Sequence, residues 1–253
     1  MHLTGDFTCI LPKDALMIHH GPEMQPRGAR GSVAIILSKE LVQGWKKGGQ
    51  IIKRGGTTVR TTTRVLLVDV KLIMTELRNS KQCKTEKNKY HTLSLVTDYH
   101  PTTSYTPEDI TKHNKKVITF IEVIPKKSTI IIGADINTAT GARTKTNVDD
   151  EMEEEDMIQN LIGPFGNKCR NKNGNLFCDV MRELDLHSAH SFFDCNDKHD
   201  TWIHLGTKHR YQPDHFLILS KQLNRTSNVK RKFDGAPSDH AALMIQFKLH
   251  SSN

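Results

Sequence analysis

The sequence predicts an α/β layered sandwich, and two observations carry that expectation. Short runs rich in β-branched residues alternate with helical patterns along the chain, and the late strands follow one another too closely for a barrel of strict βα units. The expected strands are Ser32 to Leu37, Val65 to Ile73, Leu93 to Tyr99, Thr129 to Ile132, His190 to Phe193, Phe216 to Leu219 and Ala241 to Leu249. In the last of these, Leu243, Ile245, Phe247 and Leu249 alternate with Ala242, Met244, Gln246 and Lys248, the period of a strand with one apolar face.

Two helices stand out. The first runs from Pro107 to Ile124, with Thr106 as N-cap, Pro107 in the first helical position and Asp109 in the first turn. Its Val117, Ile121 and Ile124 share one side, which is expected to lie on a sheet. The second runs from Leu176 to Leu184 after Asn173 and Gly174, with Leu176, Val180, Met181 and Leu184 at helical spacing.

With 253 residues, no internal repeat and no long Pro/Ser/Gly linker, the chain reads as a single domain over residues 1–253. A net charge of +8 favours a polyanion as partner. Five scattered cysteines without a C-x-x-C pair read as reduced thiols, not as a disulfide framework or zinc site. Neither a signal pattern nor an apolar run of membrane-spanning length is present, so the expected location is nuclear or cytoplasmic, not secreted. The fourteen histidines, among them His19, His20 and His187, show no metal-ligand spacing and read as surface or packing residues.

Two charge runs were weighed. Lys46 to Arg64, basic and rich in Gly and Thr, reads either as a hairpin arm against phosphates or as a solvated hairpin. Asp149 to Asp156, acidic at every position but Met152, reads as a solvated helix N-terminus, not a metal site.

Polar residues with chemical potential gather at strand ends. Asp135 and Asn137 follow the apolar run of "TIIIGADIN", Asp214 precedes "HFLIL", Ser238, Asp239 and His240 precede the last strand, and Tyr99 ends "SLVTDY". Singly these are turn formers or packed side chains. Together they make a set for phosphodiester hydrolysis. Asp135 holds and deprotonates a water, and Asn137, on the same side of an extended chain, donates to a phosphate oxygen. His240 supplies a proton or positive charge when Asp214 orients its ring, and Asp239 offers a hard oxygen to Mg²⁺.

In this order the segments resemble the endonuclease/exonuclease/phosphatase superfamily, whose fold is shared by DNase I, apurinic endonucleases and the endonuclease domains of non-LTR retrotransposons. "GADIN" resembles the family's Gly-Asp-x-Asn motif, "SDH" matches its Ser-Asp-His, Asp214 its late Asp, and Tyr99-His100-Pro101 its Tyr-x-Pro. "GPFGNKCRNKNGNLFCDVMRELDL", followed by Thr201-Trp202, is similar to the helix and Thr-Trp pair of the retrotransposon group, and "QPRGARGSVAIIL" to the Arg-Gly-Gly-Val-Ala strand. The resemblance spans residues 21–249. It implies a four-layered α/β sandwich of DNase I-like type, a Mg²⁺-dependent DNA endonuclease of retrotransposon type, and DNA as partner, with no membrane and no small-molecule cofactor.

By that resemblance Asp135 aligns the water, Asn137 and Tyr99 contact the phosphate, His240 paired with Asp214 is stabiliser or acid/base, and Asp239 lies at the metal. The family's opening Asn strand and its metal-binding Glu have no counterpart. Glu23 lies in a loop-like Gly/Pro/Gln segment and takes no metal role, Ala134 interrupts the motif, and the first strands are expected to be missing. Losing the Glu leaves Asp239 alone on the metal side. The expectation is therefore little or no nicking activity, and the alternative function is a catalytically inactive remnant that at most binds nucleic acid.

Overall fold

The computed structural model describes residues 5–21, 31–56, 64–74, 89–141, 161–166, 169–194, 200–232 and 238–249. The centre is a six-stranded mixed sheet built from β4 (Ile52–Gly56), β5 (Arg64–Met74), β6 (Lys89–Tyr99), β7 (Thr129–Asp135), β8 (Leu186–Ser188) and β11 (Asp214–Leu219). Its strand order is β4-β5-β6-β7-β11-β8, and only β6 and β7 pair in parallel, Leu93 opposite Thr129 through Tyr99 opposite Asp135. A parallel pair needs a crossover, and α2 (Pro107–Glu122) supplies it.

The central strands are covered on both faces, and alternation along them sorts the two cores. Val65 and Leu67 of β5, Val96 of β6, Ile130, Ile132 and Ala134 of β7 and Leu217 of β11 face the helical side, where they pack with α2 and with α3 (Lys172–Glu183). Leu66, Val68, Val70 and Leu93 face the other way, onto a three-stranded antiparallel sheet of β1 (Phe7–Ile10), β2 (Leu16–His20) and β3 (Val33–Leu37). Trp45 of α1 (Lys39–Lys47) belongs to this second core. The helix approaches β5 so closely at Gly44 that a Cβ there would strike the Lys71 carbonyl oxygen.

Two small antiparallel pairs complete the strands: β9 (Trp202–Ile203) with β10 (Arg210–Tyr211), and β12 (Thr226–Lys232) with β13 (Ala242–Phe247). Helix α2 begins as expected, with Pro107 at N1 and the Thr106 hydroxyl accepting from the Asp109 amide. Helix α3 begins a turn earlier than its apolar spacing shows, because the Asn171 side chain caps it by accepting from the Gly174 amide at 2.8 Å.

Several expectations change. The segment expected as a strand at His190 to Phe193 is a short 3-10 helix, Ala189–Phe192. Its serines divert the backbone: Ser191 Oγ donates to the Ser188 carbonyl at 2.6 Å and accepts from the Gly163 amide at 2.7 Å, the local bonding that competes with strand pairing. Two strands, β1 and β2, stand ahead of β3, where the sequence offered none. His19 had masked β2, and it is buried as a flat body stacked on Phe7 at 4.6 Å with its Nδ1 on the Gly5 carbonyl. Neither strand carries an Asn or a Glu. The basic run from Lys46 divides into the end of α1 and the hairpin strands β4 and β5, whose connection lies outside the described residues, as do Glu23 and the acidic run from Asp149 to Asp156. Among the described residues no disulfide joins Cys9, Cys169 and Cys178, and no helix is long and apolar enough to cross a membrane.

Candidate active site

The end of β7, the end of β6 and the start of β11 meet at one end of the central sheet. Because β7 and β11 are antiparallel and in register, Asp135 stands directly opposite Asp214, and directly opposed residues share a face. Because β6 and β7 are parallel and in register, Tyr99 stands beside Asp135 on the other flank. Alternation turns all three away from the helices, since their neighbours Asp98, Ala134 and His215 take the helical face. The result is a cleft of about 370 Å³ between the two sheets, walled by Tyr99, Asp135 and Asp214 with Val33 from β3 and Leu243 from β13.

His240 enters from the chain that leads into β13. Its Nδ1 lies 2.9 Å from Asp214 Oδ2, so the carboxylate fixes the ring and leaves Nε2 as the outward nitrogen. The loop is held by an isolated antiparallel bridge between Trp202 and His240, by the Ala241 amide on the Thr201 carbonyl at 2.7 Å and by the Ile203 amide on the Asp239 carbonyl at 3.0 Å. Asp239 faces the Trp202 ring N–H, which donates to its Oδ2 at 2.7 Å. Thr201, fully buried, accepts from the Asp214 amide through its hydroxyl at 3.1 Å. The Thr-Trp pair therefore positions both the orienting acid and the Asp-His loop, a role its sequence neighbourhood did not reveal.

Asn137 departs from the extended geometry expected of it. The strand ends at Asp135, and Asn137 takes a left-handed conformation with φ of 48°, which Asn tolerates better than most residues. Its amide N–H donates to Asp135 Oδ1 at 3.2 Å, and its side-chain NH₂ donates to the His100 carbonyl at 2.9 Å. The His100 amide in turn donates to the Asp135 carbonyl at 2.8 Å, which ties the Tyr99 segment to the β7 end. Thr138, next along, donates to Asn171 at the start of α3. Asn171 is a further positioning residue, since one side chain caps a helix and anchors this loop.

The electrostatics follow from two carboxylates and one imidazole. Burial, then the charge of Asp214, push the Asp135 carboxyl up to about 6, with His240 opposing. The hydrogen bond to Asp214 is the chief cause that holds the His240 ring above its ordinary value, against partial burial. Asp239 is held below the usual carboxylate range, chiefly by its bond from Trp202. Ligating atoms of Asp135, Asp214 and His240 lie within 4.8 Å of one another. Two carboxylates, with the Asp135 proton held by burial and by the charge of Asp214, fit a small divalent cation.

Thus all six residues expected from the sequence lie around the end of one sheet, or on the loop held against it. No protein-family model matches the sequence, and no curated protein matches it. Solved structures do match. A 3′ phosphatase, NExo, from Neisseria, bound to product DNA hairpin, superposes with a TM-score of 0.57 at 13% identity over 93% of this chain and 80% of that one. An AP endonuclease from Archaeoglobus fulgidus gives 0.52 at 12% identity over 94% and 84%. The endonuclease domain of TRAS1, a telomere-specific non-LTR retrotransposon, gives 0.50 at 15% identity over 93% and 81%. Identities this low speak for architecture alone, and the architecture is plain: the chain has the fold of these structures, a DNase I-like α/β sandwich.

Proposed function

We propose that the chain is a Mg²⁺-dependent DNA endonuclease of the non-LTR retrotransposon type, hydrolysing a phosphodiester to leave a 3′ hydroxyl. The observation that carries this reading is the register-locked pair Asp135 and Asp214 with His240 hydrogen-bonded to Asp214. Asp135, at a pKa of about 6, is ionised in good part near neutrality and basic enough to hold a water and take its proton. His240, whose pKa Asp214 raises, presents Nε2 with a proton to a phosphate or departing oxygen. Tyr99 and the second amide hydrogen of Asn137 are the remaining donors for the phosphate. Asp239, one residue before His240, or the Asp135–Asp214 pair, whose ligating atoms lie within 4.8 Å of each other, would hold Mg²⁺, which when bound supplies positive charge to the phosphate oxygens.

The polyanion partner is supported by charge. Beside the net charge of +8, a groove of about 960 Å³ along α2 is lined by Arg54, Lys112, Lys115 and Lys116 with Phe120 at its floor. The reading also takes the described strands and helices as parts of a single domain.

One observation favours a second reading. Strands β1 and β2 bring neither Asn nor Glu to the site, so the metal side rests on Asp239 and the Asp135–Asp214 pair. On this reading the chain is a remnant that binds nucleic acid and does not cut it. A supercoiled-plasmid assay in Mg²⁺ separates the two. Against the sequence's expectation of little nicking, the intact Asp135–Asp214–His240 set makes conversion to the open circle by the wild type, abolished in His240→Ala and by chelation, the expected result. Salt-sensitive DNA binding with no nicking above the level of His240→Ala would establish the remnant.

A further inference from the structure

Behind the cleft, on the helical face of the same strands, sits a second cluster of ligating side chains that the proposed reaction does not use. Asp98 precedes Tyr99 on β6 and points the opposite way; His100 follows it; His113 comes from α2. All three are sealed from solvent, at 3%, 1% and 2% exposure. Asp98 Oδ1 lies 2.9 Å from His113 Nε2, and Asp98 Oδ2 lies 3.5 Å from His100 Nδ1. Neither ring nitrogen of His100 makes a hydrogen bond, nor does Asp98 Oδ2. Buried polar atoms left without partners are costly, and His100 Nδ1 facing Asp98 Oδ2 across 3.5 Å, neither satisfied, is a sign that something else satisfies them.

We propose that Asp98, His100 and His113 form a buried structural site for Zn²⁺, or a cation of like preference. One ligand atom from each lies within 4.8 Å of the other two. A zinc ion with bonds of about 2.0–2.2 Å to nitrogen and oxygen places tetrahedral ligands roughly 3.3 Å apart, close to the 2.9 and 3.5 Å separations found here. Two imidazoles and a carboxylate suit zinc better than Mg²⁺, which prefers an all-oxygen shell. A water carried in with the ion would complete the tetrahedron. The His100–His113 edge contact at 4.8 Å and the His100–Phe177 contact at 5.1 Å fix the imidazoles from outside.

The position gives the site a purpose. The His100 backbone donates to the Asp135 carbonyl and accepts from the Asn137 side chain. An ion that clamps His100 to β6 and α2 therefore rigidifies the segment carrying Tyr99 and the loop carrying Asp135 and Asn137, without touching substrate.

The test is metal analysis of the purified chain after Zn²⁺ loading and exhaustive dialysis. Stoichiometric zinc is expected in the wild type, in His240→Ala and in His209→Ala, where an exposed histidine is removed. Zinc is expected to fall at least tenfold in His113→Asn. Because that variant risks misfolding, Co²⁺ is added to the wild type as a spectroscopic probe, and an intense tetrahedral visible band, unaffected by excess Mg²⁺, is expected. No retained zinc and no such band in the wild type, or undiminished zinc in a folded His113→Asn, would overturn the proposal.

Discussion

One end of the central sheet carries two clusters of opposite character, one on each face. Tyr99 and Asp135 face a cleft; Asp98, one residue from Tyr99, faces the helices. Both clusters set carboxylate against imidazole, Asp214 with His240 at 2.9 Å and Asp98 with His113 at 2.9 Å. The front cluster has one imidazole for two acids, and Asp135 is pushed up to about 6 by burial and by Asp214. The rear cluster has two imidazoles for one acid, and although burial opposes it, the hydrogen-bonded His113 and the adjacent His100 bring Asp98 down to about 2. The ratio of acid to imidazole, more than depth, sets the sign. An acid that is hard to ionise suits a base in a reaction, and an acid that is always ionised suits a structural pair or ligand.

The largest expected effect lies at the rear. Asp98→Ala strands two histidines in the core, and removing one partner of a buried charged pair costs about 3–5 kcal/mol. Chemical denaturation measures it, and a loss under about 1 kcal/mol would break the distinction between the clusters. The pH dependence of stability has opposite sign at the two places. Asp98, depressed in the fold, contributes stability that is present above its ordinary 3.8 and lost as pH falls towards about 2. Asp135, raised in the fold, favours the protonated form, so its contribution weakens as pH rises from 3.8 through about 6. Asp135→Asn is therefore expected to stabilise the protein above pH 6 by on the order of 1–2 kcal/mol while abolishing nicking, the trade a functional site makes. A destabilised Asp135→Asn, seen as a lower Tm at neutral pH, would contradict this.

The smallest expected effect sits on the loop between the clusters and α3. Asn171→Ala removes the helix cap and the acceptor for Thr138, at about 1 kcal/mol in stability. Hydrogen exchange is expected to quicken at the first turn of α3. Exchange there at the wild-type rate would mean that Asn171 holds nothing.

How much of this was legible in the sequence depends on whether a residue's role was local. Asp135, Asp214, Asp239, His240 and Tyr99 were legible because strand ends announce themselves by an apolar run stopping at a polar residue. Helix α2 was legible from Thr106 and Pro107. Asn137 was read in the right place and the wrong conformation, since nothing local signals that the strand stops at Asp135 and the chain turns left-handed. Helix α1 was missed although Ser38, Leu41, Val42 and Trp45 carry its spacing, because the basic run from Lys46, its last turn, reads as a hairpin. The rear cluster was invisible for a different reason. His100 lies two residues from Asp98, but His113 comes from α2, and only the turn of the chain from β6 into that helix brings it back to them. Thr201 and Trp202 were seen as a pair, but their hold on Asp214 and Asp239 is tertiary and had no local sign.

The central claim is that the Asp214 charge acts on both Asp135 and His240, and the pH profile of plasmid nicking in Mg²⁺, for the wild type and Asp214→Asn, tests it most directly. The wild-type rate is expected to rise through about pH 6 as Asp135 ionises, and to fall at a value above 6.5 as His240 loses its proton. Asp214 raises both groups, so in Asp214→Asn both limbs are expected to move to lower pH, with a reduced maximum. Limbs that stay in place when Asp214 is neutralised, or a wild type that does not nick at any pH, would contradict the account.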